Sequence, residues 1–175
     1  TDYTLADGNV TITAGATTAN IALTVVDDAL DENDETVQVT LGTPSSGANT
    51  SLGVNTVHTY TITDNDAAPN VTLSQVGSPL AENGGVDTIT ATLDAASGKN
   101  VTVNLAYTGT ATLNNDYTSS SAVITILAGA TTGNVTVTGV DDALDEATET
   151  VIVDIDSVVN ATEAAPQQVT ASITD

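Results

Sequence analysis

The stretch from Ala14 to Val39, AGATTANIALTVVDDALDENDETVQV, returns from Ala128 to Val153 as AGATTGNVTVTGVDDALDEATETVIV, with 18 of 26 positions identical. Asp2-Tyr3-Thr4 returns as Asp116-Tyr117-Thr118 at the same offset of 114 residues. A period of this length belongs to a whole domain, because solenoid units recur at about 20 to 50 residues. The chain is therefore constrained to build one type of domain twice. The first copy closes on Ile62-Thr63-Asp64-Asn65-Asp66 and the second on Ile173-Thr174-Asp175. This places a first unit at 1–66, a linker at 67–70 (Ala67-Ala68-Pro69-Asn70) and a second unit at 71–175. Aligned on the second unit, the first starts at the equivalent of Asp116. It lacks everything that matches Val71 to Asn115, and is expected to be only the C-terminal part of a repeat.

The material of both copies is strand material. Apolar residues make up 40% of the chain, nearly all of them Val, Ile, Leu and Ala, and 34 threonines accompany them, a β-branched composition that suits a pleated, half-buried surface. Alternating runs bounded by turn residues predict strands near Val71 to Val76, Val86 to Leu93, Val101 to Tyr107, Ala122 to Leu127, Asn134 to Val140, Glu149 to Ile155 and Gln168 to Ile173. Seven short strands with one apolar face each make an all-β sandwich. The first unit is expected to hold the last four of them, with Val37, Val39 and Leu41 pointing to a core that its missing front strands would cover.

Charge excludes several function classes. Lys99 is the only Lys or Arg against 23 Asp and Glu, for a net charge of −22, so the chain cannot neutralise nucleic-acid phosphates or an anionic membrane surface. It has no Cys, and a lone His58, which removes thiolate chemistry and any Ser-His-Asp triad in the second half. No apolar run reaches the roughly 18 residues of a membrane span. No charged-then-apolar leader opens the sequence, so an export signal is expected outside it. An enzyme is not expected.

Seventeen of the 23 acidic residues fall in a few recurrent loop positions. Six carboxylates between Asp27 and Glu35 repel one another by about 1 to 4 kcal/mol per close pair, with no interleaved lysine to relieve them. A cation from solution is the remaining source of neutralisation. Oxygen ligands without His or Cys select Ca²⁺ or Mg²⁺, and many flexible carboxylates favour Ca²⁺. The spacing matches neither an EF-hand loop nor a glycine-rich calcium nonapeptide. A bland alternative is that acidic loops only maintain solubility; their repetition at equivalent positions weighs against it.

The pattern A-G-x-T-x-x-x-[IV]-x-x-x-[IV]-x-D-D-x-L-x-E-x-x-E-T, preceded by Asp-Tyr and closed by Ile-Thr-Asp, resembles the Calx-beta domain of sodium/calcium exchangers and large bacterial surface proteins. The resemblance implies tandem immunoglobulin-like sandwiches with calcium held in loops at one end. Carried over position by position, it implies metal ligands in the first unit at Asp2, Asp27, Asp28, the Leu30 carbonyl, Glu32, Glu35, Asp64 and Asp66. In the second unit it implies Glu82, Asp116, Asp141, Asp142, the Leu144 carbonyl, Glu146, Glu149 and Asp175. The chain departs from the family at Asn65, where an acidic residue is common, and at Ala29 and Ala143, which break an acidic triple; fewer or weaker ions follow.

Two functions are consistent with these features. One is a structural calcium-binding repeat of an extracellular adhesin stalk or surface fibre on a bacterial cell, with Ca²⁺ rigidifying inter-repeat junctions and neighbouring repeats, or other copies of the chain, as partners. The other is a calcium-sensing regulatory module of a membrane transporter or receptor. Of the remaining polar and aromatic residues, His58 reads as an ordinary strand residue, the four tyrosines as half-buried strand-edge rings, and Lys99 as a solvated turn residue.

Overall fold

The computed structural model describes residues 2–6, 8–45 and 50–175. Among these residues the chain is all β, with fourteen strands and no helix. It divides into two compact units: Thr1–Ala29 with Asn33–Asn65, and Asp66–Asp175 together with Leu30–Glu32.

The first unit holds β1 (Tyr3–Leu5), β2 (Leu23–Val25), β3 (Glu35–Thr40) and β4 (Val57–Ile62). They form two antiparallel pairs, β1 with β2 and β3 with β4, and neither pair gains a third strand among the described residues. The count of four matches the expectation, but the membership does not. The predicted equivalent of Ala122 to Leu127 carries no strand here, whereas the equivalent of Tyr117 to Ser119 does. The reason lies in the second unit, where that run exists as a strand by pairing with a neighbour whose counterpart the first unit lacks. Of the three residues expected on the apolar face, Val37 is buried at 6% exposure, while Val39 is half-buried and Leu41 is exposed.

The second unit is built from β5 (Asn70–Val76), β6 (Leu80–Ala81), β7 (Val86–Leu93), β8 (Val101–Gly109), β9 (Tyr117–Ser119), β10 (Val123–Ile126), β11 (Thr132–Gly139), β12 (Glu149–Val159), β13 (Thr162–Glu163) and β14 (Gln168–Thr174). Two five-stranded sheets result, ordered β10-β8-β12-β14-β6 and β13-β5-β7-β11-β9. Their inward faces share one core, to which Ile89, Ala91, Val135 and Val137 contribute from one sheet and Val101, Val103, Ile124, Val151 and Val153 from the other. Alternation within β7 shows why: Ile89, Ala91 and Leu93 are buried, while Thr88, Thr90 and Thr92 between them are half-buried, as a period of two requires.

All seven predicted runs of this unit carry strands. β12 extends past the expected Ile155 because a register shift between Ile155 and Ser157 lets its pairing with β8 continue to Val159, the behaviour of a β-bulge. Tyr117 departs from its expected half-buried state: at 3% exposure it belongs to the core, 6.4 Å centroid to centroid from Tyr107. His58 lies exposed on β4, edge-on to Tyr60.

Lys99 also differs from its expected role as a solvated turn residue. Its Nζ lies 2.7 Å from Asp31 Oδ1, and Asp31 is only 6% exposed. Ser97 Oγ and the Gly98 amide both donate to the Asp31 carbonyl, at 3.3 and 3.1 Å. The only cation of the chain is thereby committed to holding Leu30–Glu32 on the turn between β7 and β8.

Candidate metal centre

In the second unit the acidic loops meet at the end of the sandwich where β6, β11 and β12 turn. Glu82 follows β6 and is 7% exposed. Its position is set by backbone bonds: the Glu82 amide donates to the Thr174 carbonyl at 3.0 Å, and the Gly85 amide to Ala81 at 2.8 Å. β11 then passes close by. A Cβ at Gly139 would stand 2.5 Å from the Ala81 carbonyl oxygen and 2.9 Å from that of Glu82, so only glycine lets the end of β11 approach the turn.

Beyond Gly139 the chain enters the acidic loop. The Val140 amide donates to the Asp116 carbonyl at 3.0 Å, and the Asp142 amide donates to Glu82 Oε1 at 3.1 Å. Asp142 folds the loop on itself by accepting the Leu144 amide on Oδ1 at 2.6 Å. The Glu146 amide donates to Asp175 Oδ2 at 3.3 Å, which ties the loop to the residue following β14. Asp116 accepts the Thr112 amide.

Two overlapping carboxylate groups result, each with one oxygen per residue within 4.8 Å of the others: Glu82, Asp142 and Glu146, and Asp116, Glu146 and Glu149. Glu146 belongs to both. Its carboxyl is held above the usual range, first by desolvation and then by repulsion from Asp142, Asp116, Glu82 and Asp175. Glu149 is raised likewise, by desolvation and then by Asp116, Glu146 and Glu82. Six of the residues singled out from sequence therefore converge. Asp141 is exposed next to Asp142 and joins neither group, and the side chain of Leu144 points to solvent at 64% exposure.

In the first unit, Asp2 precedes β1 and Asp28 follows β2, and the pairing of these strands brings their carboxylate oxygens within 4.8 Å. The Val26 amide donates to the Asp2 carbonyl at 2.8 Å. Glu35 opens β3 opposite Ile62 of β4, and the Asp64 amide donates to Asp34 Oδ1 at 3.0 Å. Asp27 is exposed. Leu30 and Glu32 belong to the second unit, as does Asp66. There Glu32 lies against Gly98, at the end of the sandwich away from Glu82.

Chemically, the second unit's site offers an all-oxygen, polydentate set with no cationic side chain in it. Such a set fits a hard divalent cation of flexible coordination, and the raised carboxyls show that the chain supplies no neutralisation of its own. Sequence reasoning did not reach the Lys99–Asp31 pair, whose partners are 68 residues apart. It also passed over Asp87, although the alternation of Val86 to Leu93 puts that residue in phase with Ile89 and Ala91.

The family model of the Calx-beta domain matches residues 1–66 and 64–175. No curated protein matches the sequence.

Proposed function

The chain belongs to the Calx-beta family, whose members are non-catalytic, generally calcium-binding β-sandwich domains, and on that premise we propose that it is a structural calcium-binding repeat of an extracellular stalk or surface fibre. The observation that carries this reading is Glu146, shared by two carboxylate groups and raised by desolvation and then by its acidic neighbours. Bound calcium would supply positive charge to these carboxylate oxygens, its ligands, and would hold the loop of Asp142 and Glu146 to Glu82, Asp116, Glu149 and Asp175.

Neighbouring repeats are the partners that this reading requires. In the second unit β12 lies between β8 and β14, and β11 between β7 and β9. By the 114-residue offset β3 corresponds to β12 and β2 to β11, so their open edges are the places for strands equivalent to β8 and β7. Such strands, of the same pattern as Val71 to Asn115, come from an adjoining repeat or another copy. Asp64 and Asp66 immediately before Ala67 to Asn70 support a role for calcium in stiffening the connection between repeats. A single Lys or Arg in the whole chain leaves almost no tryptic sites, which suits exposure at a bacterial cell surface.

Thermal unfolding in millimolar Ca²⁺ and in chelator tests the reading. Calcium at 100 times its dissociation constant adds about 2.7 kcal/mol, and Glu146→Gln is expected to remove most of that increment. Superimposable melting curves for the unaltered chain overturn it. Small-angle scattering tests the stiffening role separately, through a larger range of dimensions in chelator.

A further inference from the structure

Asp87 is the second residue of β7 and stands on the face that carries Ile89, Ala91 and Leu93. It is 0% exposed. Neither of its carboxylate oxygens has a partner at hydrogen-bonding geometry, and the one other buried side-chain polar atom in that condition among the described residues is Oε1 of Gln75. Gln75 pairs with Ile89 across the β5–β7 ladder. It therefore faces the same interior as Asp87 and is its diagonal neighbour, a separation that a long side chain can bridge.

The other end of Gln75 is fixed, since Nε2 donates to the Thr170 carbonyl of β14 at 2.6 Å. Three acceptor oxygens thus share one interior with no donor among them. A buried acceptor left unpaired is unfavourable, and a buried unpaired charge more so. A neutral carboxyl resolves both, because it gains a donor while losing the charge.

Among the described residues no cationic side chain is left to do the same. β5, β6 and β11, which pack on β7, and β14, which holds Thr170, contain no titratable residue. Lys99 is committed to Asp31. Desolvation pushes the Asp87 carboxyl above its ordinary range, while the backbone amides of Thr88 and Val76, which stand near it but outside hydrogen-bonding geometry, pull less strongly the other way.

We propose that Asp87 is a buried proton-binding site that stays protonated at neutral pH and donates to Gln75 Oε1. The tie that results runs from Asp87 to Gln75 to Thr170 and joins β7 and β5 of one sheet to β14 of the other. Loss of the proton leaves a buried, unpaired carboxylate and breaks the tie. The sign follows from linkage: a carboxyl that holds its proton more tightly folded than unfolded adds stability that is whole below its unfolded pKa and disappears as pH rises through its folded pKa.

The test uses the full chain in chelator, with side-chain carboxyl ¹³C resonances followed against pH and the Asp87 signal assigned by its loss in Asp87→Asn. The expected result is a protonated signal through pH 7. From the unfolded carboxyl's pKa up to the pH at which that signal moves, the folding equilibrium constant of the unaltered chain falls about tenfold per pH unit relative to Asp87→Asn, and it levels off above. Should that variant fail to fold, Gln75→Leu serves for assignment, by shifting the Asp87 signal and lowering its titration point. An ionised Asp87 signal at pH 7 overturns the proposal. A signal that shifts on adding Ca²⁺ alone also overturns it, by identifying a cation as the group that fills the space.

Discussion

Val151, Val153 and Ile155 of the second unit and Val37, Val39 and Leu41 of the first occupy the same repeat positions, in nearly the same words of sequence. In the second unit all three are core residues, at 0%, 0% and 8% exposure; in the first, burial falls away from Val37 to Leu41, which reaches 42%. What differs is the neighbour. β12 lies between β8 and β14, whereas among the described residues β3 has β4 alone. An alternating strand supplies an apolar face, and only strands paired beside it and packed above it turn that face into a core.

The largest expected difference between the units is in their response to truncation. Ile89→Ala removes a fully buried side chain of the second unit and is expected to destabilise it by about 2 to 5 kcal/mol. Ile12→Ala, at an exposed position of the first unit, is expected to stay within about 0.5 kcal/mol. Urea unfolding of both variants checks the pair, and equal losses would break the comparison. Hydrogen exchange sharpens it: amides of β7, β8 and β12 are expected to exchange only on global opening, and those of β2 and β3 through local opening.

A smaller effect is expected at Lys99. Lys99→Met leaves Asp31 buried without its counter-ion and is expected to cost the second unit about 1 to 3 kcal/mol, read from its urea midpoint. A loss this large does not follow if the lysine is merely a solvated turn residue.

The smallest expected effect is on pH dependence. Glu146 and Glu149 have raised carboxyls, so without calcium their contribution is whole below the unfolded pKa and is lost as pH rises through the folded one. Calcium prefers the ionised forms. The gap in melting temperature between calcium and chelator is therefore expected to narrow as pH is lowered from 7 towards 5; a gap independent of pH would separate these two residues from the ion.

Most of the fold was legible in sequence wherever a strand was long enough to alternate. Val86 to Leu93 was read to its last residue, because four apolar or polar alternations leave little freedom of phase. β6, β9 and β13 were not read, since two or three residues carry no period and owe their pairing to distant partners: Leu80 to Ile173, Tyr117 to Gly139, Thr162 to Asn70. In the candidate site, the repeat located Asp116, Asp142, Glu146, Glu149 and Asp175, and the family resemblance supplied Glu82. Which of them share an oxygen cluster depended on how the loop after β11 folds against Glu82. Asp31 was visible as one carboxylate among many, and nothing in its surroundings in sequence distinguishes it as the partner of Lys99.

The pairing of β6 with β14 is parallel, Leu80 beside Ile173 and Ala81 beside Thr174. Tension applied across the second unit enters ahead of β5, so it reaches the start of β6 only after β5 is drawn off its sheet, and it leaves after β14. Parallel neighbours pulled from opposite ends slide along one another, so their backbone bonds are loaded together in shear and do not open one at a time. In the stalk proposed above, that short ladder would be loaded as a unit, and the Glu82 amide bonded to Thr174 places the acidic end of the sandwich directly beside it.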